Sequence, residues 1–107
     1  MRTPGFSVRL DTTGDTACVY VTGELDMATA DHLSDCISLA LRATSTTELG
    51  IDLGRVTFCD SAGLQALVNA QRACQKRQVG LVLHGPDDRL LEILKIAGLG
   101  SHFTIEP

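Results

Sequence analysis

The feature that most constrains this chain is a change in the spacing of its apolar residues at Asp60-Ser61. Residues 48–53 alternate between apolar and polar side chains, and residues 56–59 continue with mostly β-branched and aromatic types. Beyond this point the spacing widens to that of one helix face, at Leu64, Leu67, Val68, Gln71 and Cys74. Alternation indicates a strand and the wider spacing indicates a helix. Ser61 is therefore expected at or just before a helix N-terminus, where free backbone N–H groups and the helix dipole favour added negative charge.

The remaining elements follow from the same two spacings and from turn residues. Asp26 or Thr29 is expected to cap the first helix, and Gly98 to end the third. We predict strands at 6–10 and 17–21, a helix from about 28 to 43, a strand at 49–53, a helix from 61 to about 77, a strand at 79–84, a helix after residues 85–87, and a short last strand or docked tail at 102–105.

The order β-β-α-β-α-β-α, with or without a final strand, predicts the fold class. The first two strands are joined by a short turn and must pair antiparallel, whereas strands separated by a whole helix run parallel. We therefore expect an α/β fold with a mixed sheet of four to five strands packed with helices. The chain has 107 residues and no linker-like tract, so we expect a single domain over residues 1–107.

Composition excludes several classes of function. The net charge of −4 argues against nonspecific binding to nucleic acid, which needs a basic face. The basic cluster of Arg72, Lys76 and Arg77 is expected to complement the C-terminus of its own helix. Residues 1–5 are not followed by an apolar run, and no stretch is long enough to cross a bilayer, so we expect a cytoplasmic protein without a membrane partner.

Neither a metal site nor catalytic chemistry is expected. The cysteines lie far apart and share no ligand spacing with the histidines, which indicates free thiols in a reducing setting: Cys18, Cys36, Cys59 and Cys74, with His32, His84 and His102. The sequence contains neither of the phosphate-binding motifs Gly-x-x-x-x-Gly-Lys-Ser/Thr and Gly-x-Gly-x-x-Gly. Asp60-Ser61-Ala62-Gly63 lacks the first glycine of the hydrolase motif Gly-x-Ser-x-Gly. We therefore predict no catalytic residue and no cofactor.

Two acidic segments stand out as candidates for a binding surface. Gly23-Glu24-Leu25-Asp26 is expected to be a loop after the second strand, and Asp60-Ser61 follows the third. If those strands are parallel neighbours, both segments emerge at one edge of the sheet, where open α/β sheets place their ligand sites. The small step Ala62-Gly63 would leave the Ser61 hydroxyl open to another protein. The alternative is structural, with Asp60 or Ser61 as helix caps and residues 23–26 as a solvated turn.

Taken together, these segments resemble the STAS family, and most closely its free-standing bacterial anti-sigma factor antagonists. The resemblance covers essentially the whole chain, through Val19–Asp26, Asp-Ser-Ala-Gly-Leu within Ile51–Leu67, and the Ile96–Leu99 ending.

The resemblance implies a function and a set of site residues. In this family, an anti-sigma factor with a histidine-kinase-like serine kinase domain phosphorylates the serine after the aspartate, which is Ser61 here. The unphosphorylated antagonist binds the anti-sigma factor and frees a sigma factor, in some members during a stress response, and a serine phosphatase reverses the modification. The implied partner-binding residues are Gly23, Glu24, Leu25, Asp26, Asp60, Ser61, Ala62 and Gly63.

Ala62 departs from the family pattern, since many members carry a second Ser or Thr there. This leaves Ser61 as the hydroxyl to be modified. Some members of the family are never phosphorylated, so a second role stays open, that of an accessory subunit in a lipid or anion transport complex. An enzyme or nucleotide-binding module is a third, and it would bind nucleotide tightly or turn it over.

Overall fold

The computed structural model describes residues 5–107 and confirms the predicted order of elements, including a final strand. Residues 1–4, part of the segment in which a secretion signal was not expected, lie outside the described residues. The elements are β1 (Ser7–Thr13), β2 (Thr16–Leu25), α1 (Ala30–Leu41), β3 (Glu48–Cys59), α2 (Ser61–Lys76), β4 (Gly80–His84), α3 (Asp88–Ile96) and β5 (Thr104–Glu106).

The five strands of the described chain form one mixed sheet in the order β1-β2-β3-β4-β5. β1 pairs antiparallel with β2, and every later pair is parallel. β2 and β3 are therefore parallel neighbours, which was the condition for the two acidic segments to emerge at one edge of the sheet. Their register aligns Leu25 with Cys59, so the two strands end side by side.

The helices cover one face of this sheet. In β2, the side chains of Ala17, Val19 and Val21 are buried, whereas those of Cys18 and Tyr20 between them are half-exposed. The core is almost entirely aliphatic and draws on all three helices; its largest fully buried residues include Leu25, Leu33, Leu49, Ile51, Leu53, Leu67, Leu83 and Leu94. None of the helices formed by residues 5–107 has the length and apolar character needed to cross a membrane.

The segment predicted as a loop at residues 23–26 is mostly strand. β2 continues through Leu25, with irregular pairing to β3 on either side of Gly23. Gly23 has a φ of +102°, and a Cβ at this position would collide with the carbonyl oxygen of Gly5. The glycine therefore allows β2 to bend where it passes Gly5 and to continue to Leu25. This explains why the strand extends beyond residues 17–21, the part predicted from alternating apolar residues.

Helix capping also differs from the prediction in detail. Thr29 is the N-cap residue of α1, but its side chain makes no capping hydrogen bond to the helix. Arg77 was expected to complement the C-terminus of its own helix, α2. Its Nη1 instead donates a hydrogen bond of 2.6 Å to the carbonyl oxygen of Leu41, at the end of α1. Gly98 follows α3 with a φ of +75°, in agreement with its predicted role.

All four cysteines are free thiols, as predicted. Cys59 and Cys74 are buried, and desolvation raises the pKa of each thiol to about 11. The nearby Asp60 carboxylate adds to the rise at Cys59. A thiol with so high a pKa stays protonated near neutral pH and is a poor nucleophile.

Candidate functional site

The first turn of α2 presents Ser61 to solvent. Asp60 is the N-cap residue: its backbone is extended, and its carboxylate Oδ1 accepts a hydrogen bond from the Gly63 N–H at 3.0 Å. Ser61 is the first helical residue and is exposed. Among residues 5–107 no side-chain hydrogen bond engages the Ser61 hydroxyl. Asp60 thus fulfils the capping role considered for both residues, and the serine hydroxyl remains available.

The start of α2 is held against the end of β2. The Asp60 N–H donates to the carbonyl oxygen of Leu25 at 3.2 Å. A Cβ on Gly63 would lie 2.5 Å from that same oxygen and 2.8 Å from Cys59 Sγ. Gly63 is therefore required by this close approach, a constraint in addition to the predicted opening of the Ser61 hydroxyl. A glycine inside a helix costs stability, and here that cost is offset by the close packing of α2 against the end of β2, which holds the two acidic segments together.

The turn after β2 is fixed by Thr29, a residue that the sequence analysis considered only as a cap. Its side chain is fully buried. Thr29 Oγ1 donates to the Glu24 carbonyl oxygen at 2.8 Å and accepts from the Asp26 N–H at 2.9 Å. Asp26 Oδ1 accepts from the Ala28 N–H at 2.9 Å, so this carboxylate stabilises the turn ahead of α1. The spacing Asp26-x-x-Thr29 is the sequence signal for such a side-chain–backbone turn.

We call the resulting surface the acidic edge: Glu24, Asp26, Asp60 and the Ser61 hydroxyl. Glu24 is exposed, whereas Asp26 and Asp60 are half-buried. Within residues 5–107, Arg9 pairs with Asp11, and His84 Nδ1 lies 3.5 Å from Glu106 Oε2, so neither contact neutralises a carboxylate of the acidic edge. A protein partner carrying basic side chains could therefore use these charges.

The predicted partner-binding residues are not equally accessible. Glu24 and Ser61 are exposed, and Gly23, Asp26, Asp60 and Ala62 are half-buried. Leu25 is fully buried in the core and Gly63 is buried beneath the first turn of α2. The latter two shape the edge without presenting a side chain to a partner. In the described part of the chain, no group of three or more His, Cys, Asp or Glu side chains is arranged to hold a metal ion.

Comparisons with known proteins agree with this architecture. The family model described as Mlab, STAS domain matches residues 8–106. An anti-sigma-B factor antagonist from Listeria monocytogenes is 34% identical over 88 residues, which are 82% of this chain and 76% of that protein.

Solved structures give the same architecture. A crystal structure of an anti-sigma factor antagonist from Mycobacterium paratuberculosis is 28% identical, with a TM-score of 0.79 over 100% of this chain and 91% of that chain. The phosphorylated form of the Bacillus cell fate determinant SpoIIAA is 22% identical, with a TM-score of 0.72 over 92% of this chain and 90% of that chain. At 22% identity, the likeness to SpoIIAA shows a shared fold only.

Proposed function

This chain belongs to the STAS domain family, and we propose that it is an anti-sigma factor antagonist controlled by phosphorylation of Ser61. The unphosphorylated chain binds an anti-sigma factor, which then releases its sigma factor. The anti-sigma factor is also the serine kinase that modifies Ser61, and a serine phosphatase removes the phosphate. The chain is a substrate and a binding partner and catalyses nothing itself. Because its partners control transcription, we place it in the cytoplasm.

The observation that carries this proposal is the position of Ser61. Its side chain is exposed at the first residue of α2, and the capping hydrogen bond is made by Asp60 instead. A kinase can therefore reach the hydroxyl without opening the fold. The hydrogen bond from the Asp60 N–H to Leu25 keeps this serine beside the end of β2, where Glu24 and Asp26 lie.

The physics of this position favours a switch at the surface over a change of fold. A phosphate adds about −1.5 to −2 charge, and a helix N-terminus stabilises added negative charge by about 0.3–1 kcal/mol. The carboxylates of the acidic edge oppose it by a similar amount, so the domain stays folded. The partner's basic side chains face Glu24, Asp26 and Asp60 in this proposal, whereas the neutral Ser61 hydroxyl meets an uncharged part of the interface. A phosphate on Ser61 is then buried there without a cation, which is costly, and binding is lost.

The test is to mix the purified chain with the anti-sigma factor kinases of its own organism and magnesium-ATP. Mass spectrometry should locate one phosphate on Ser61, and Ser61→Ala should not be phosphorylated. In isothermal titration calorimetry, Ser61→Ala should bind the kinase as the wild type does, whereas Ser61→Asp should bind more weakly. Equal affinities for wild type and Ser61→Asp would contradict the electrostatic switch.

The other role, that of a transport-complex subunit, predicts a different result. A subunit of that kind would neither bind nor be phosphorylated by any anti-sigma factor kinase of its organism, and Ser61→Asp would leave its assembly unchanged. The calorimetry and mass spectrometry described above therefore separate the two roles.

A further inference from the structure

Two of the large exposed apolar residues lie close in sequence to the acidic edge. The large apolar residues that stay exposed in the described chain are Met27, Leu39, Phe58, Leu91 and Ile96. Met27 lies in the turn between β2 and α1, and Phe58 is the second-last residue of β3, so each is close in sequence to the acidic edge. Leu39 and Ile96 lie in the last turns of α1 and α3, at the far ends of those helices. Leu91 is in the first turn of α3.

Met27 is exposed although its backbone is firmly held. The residue is 83% exposed. The carbonyl oxygen of Asp26 accepts hydrogen bonds from the N–H groups of Thr29 at 3.1 Å and Ala30 at 2.8 Å, which closes the turn around Met27. Burying such a side chain is worth about 1.5–3 kcal/mol, and the fold makes no use of it. The side chain is thus presented by a fixed turn.

Phe58 occupies the other side of the same edge. It is paired with Glu24 in the register of β2 and β3, and the residue is 44% exposed. Together with Arg89, Leu90 and Ile93 it lines a cleft between the end of β3 and α3. Ser61 follows the end of β3 by two positions, so Phe58 precedes it by three residues in the chain.

We propose that Met27 and Phe58 are the apolar anchors through which the anti-sigma factor kinase binds this chain, Met27 next to Asp26 and Phe58 opposite Glu24 in the register of β2 and β3. The inference rests on the proposed function and names the contacts of that same site. The occupant follows from charge: a kinase face with apolar pockets between basic side chains complements Met27, Phe58 and the carboxylates of the acidic edge, which form no ion pair within the described chain. The anchors supply affinity, and Ser61 supplies the switch.

The experiment compares alanine variants in calorimetric binding to the purified kinase that phosphorylates Ser61, with magnesium-ADP present. Met27→Ala and Phe58→Ala should each weaken binding about tenfold, the typical effect of losing an interface anchor. Ile96→Ala is the matched control, because Ile96 is 78% exposed at the far end of α3. It should bind within about twofold of the wild type. Glu24→Lys, at an exposed carboxylate, should also weaken binding.

The possible outcomes separate this inference from the proposed function. If the wild type binds and is phosphorylated but Met27→Ala and Phe58→Ala bind equally well, the anchors are wrong and the proposed function stands. If Ile96→Ala loses as much affinity as Met27→Ala, the binding surface is not localised at the acidic edge and the inference is overturned. If no anti-sigma factor kinase binds the wild type, both fail. Should Phe58→Ala fold poorly, Phe58→Gln, which keeps more of the side-chain volume at this exposed position, repeats the test of that anchor.

Discussion

Two helices of this molecule begin in nearly the same way but differ in what surrounds their first turns. Asp60 precedes α2 and accepts from the Gly63 N–H at 3.0 Å, and Asp87 precedes α3 and accepts from the Leu90 N–H at 2.8 Å. Both aspartates have extended backbones. A capping aspartate is therefore shared by α2 and α3, though not by α1, and it does not mark a functional site by itself.

The difference lies in the residues that follow each cap. The first helical residue is Ser61 in α2 and Asp88 in α3, and both are exposed. The third is Gly63, pressed against the Leu25 carbonyl, in contrast to Leu90, which packs into the core. The start of α3 thus already carries a negative charge where α2 carries a hydroxyl. The start of α2 is distinguished by its close attachment to β2.

The largest expected effect comes from adding a side chain at Gly63. Gly63→Ala should lower the free energy of unfolding by about 2–3 kcal/mol, because overpacking against Leu25 and Cys59 exceeds the gain of about 1 kcal/mol in helix propensity. Urea denaturation followed by circular dichroism measures this change.

Gly80→Ala is the control for that prediction. A Cβ at Gly80 would meet the Thr47 carbonyl at an ordinary 3.9 Å, so the change should be under about 1 kcal/mol. A neutral Gly63→Ala would mean that α2 can move away from β2 freely, and the rigid attachment described above would be incorrect.

The buried Cys59 thiol makes the start of α2 sensitive to alkaline pH. Its pKa is raised from the ordinary 9.0 to about 11, first by burial and then by Asp60. Between pH 9 and 11 the unfolded chain loses this proton while the folded chain keeps it, so stability falls as pH rises through this range. The loss is on the order of 1–3 kcal/mol for this thiol.

The measurement is urea denaturation at several pH values for wild type and Cys59→Ala. The variant is less stable throughout because it leaves a small cavity, so the slope against pH is the informative quantity. That slope should be shallower in Cys59→Ala between pH 9 and 11, and unchanged near neutral pH. Parallel curves for the two proteins would contradict the raised pKa.

The sequence allowed much of this architecture to be predicted, and the exceptions have physical causes. The order of elements, the mixed sheet and the shared edge of β2 and β3 followed from spacing and chain connectivity. Residues 23–26 were predicted as a loop, but β2 continues through Leu25 because the positive φ at Gly23 lets the strand bend without ending. The sequence explained Gly63 only by its neighbour Ser61. The structure shows that a glycine is needed there because the carbonyl oxygen of Leu25, which is distant in sequence, lies too close for a Cβ.

The two capping aspartates offer a matched test of structure against function. Asp60→Ala and Asp87→Ala should each cost about 1 kcal/mol of stability, since each removes one cap hydrogen bond. Only Asp60→Ala should also weaken binding to the anti-sigma factor kinase, because Asp60 belongs to the acidic edge. Thermal unfolding and calorimetry measure the two effects. Equal binding losses in both variants would indicate that helix fraying, and not the carboxylate of the acidic edge, governs affinity.

The smallest expected effect is the one on which the switch depends. Ser61→Asp places a carboxylate where α3 already has Asp88, so the helix dipole should offset the repulsion from Asp26 and Asp60 and leave stability within about 1 kcal/mol of the wild type. The reciprocal change Asp88→Ser should lower stability by about 0.3–1 kcal/mol, since α3 loses a favourable charge. Urea denaturation at low salt measures both. If Ser61→Asp instead destabilised the domain by several kcal/mol, phosphorylation would act by disrupting the fold, and the comparison between the two helix starts would no longer explain the switch.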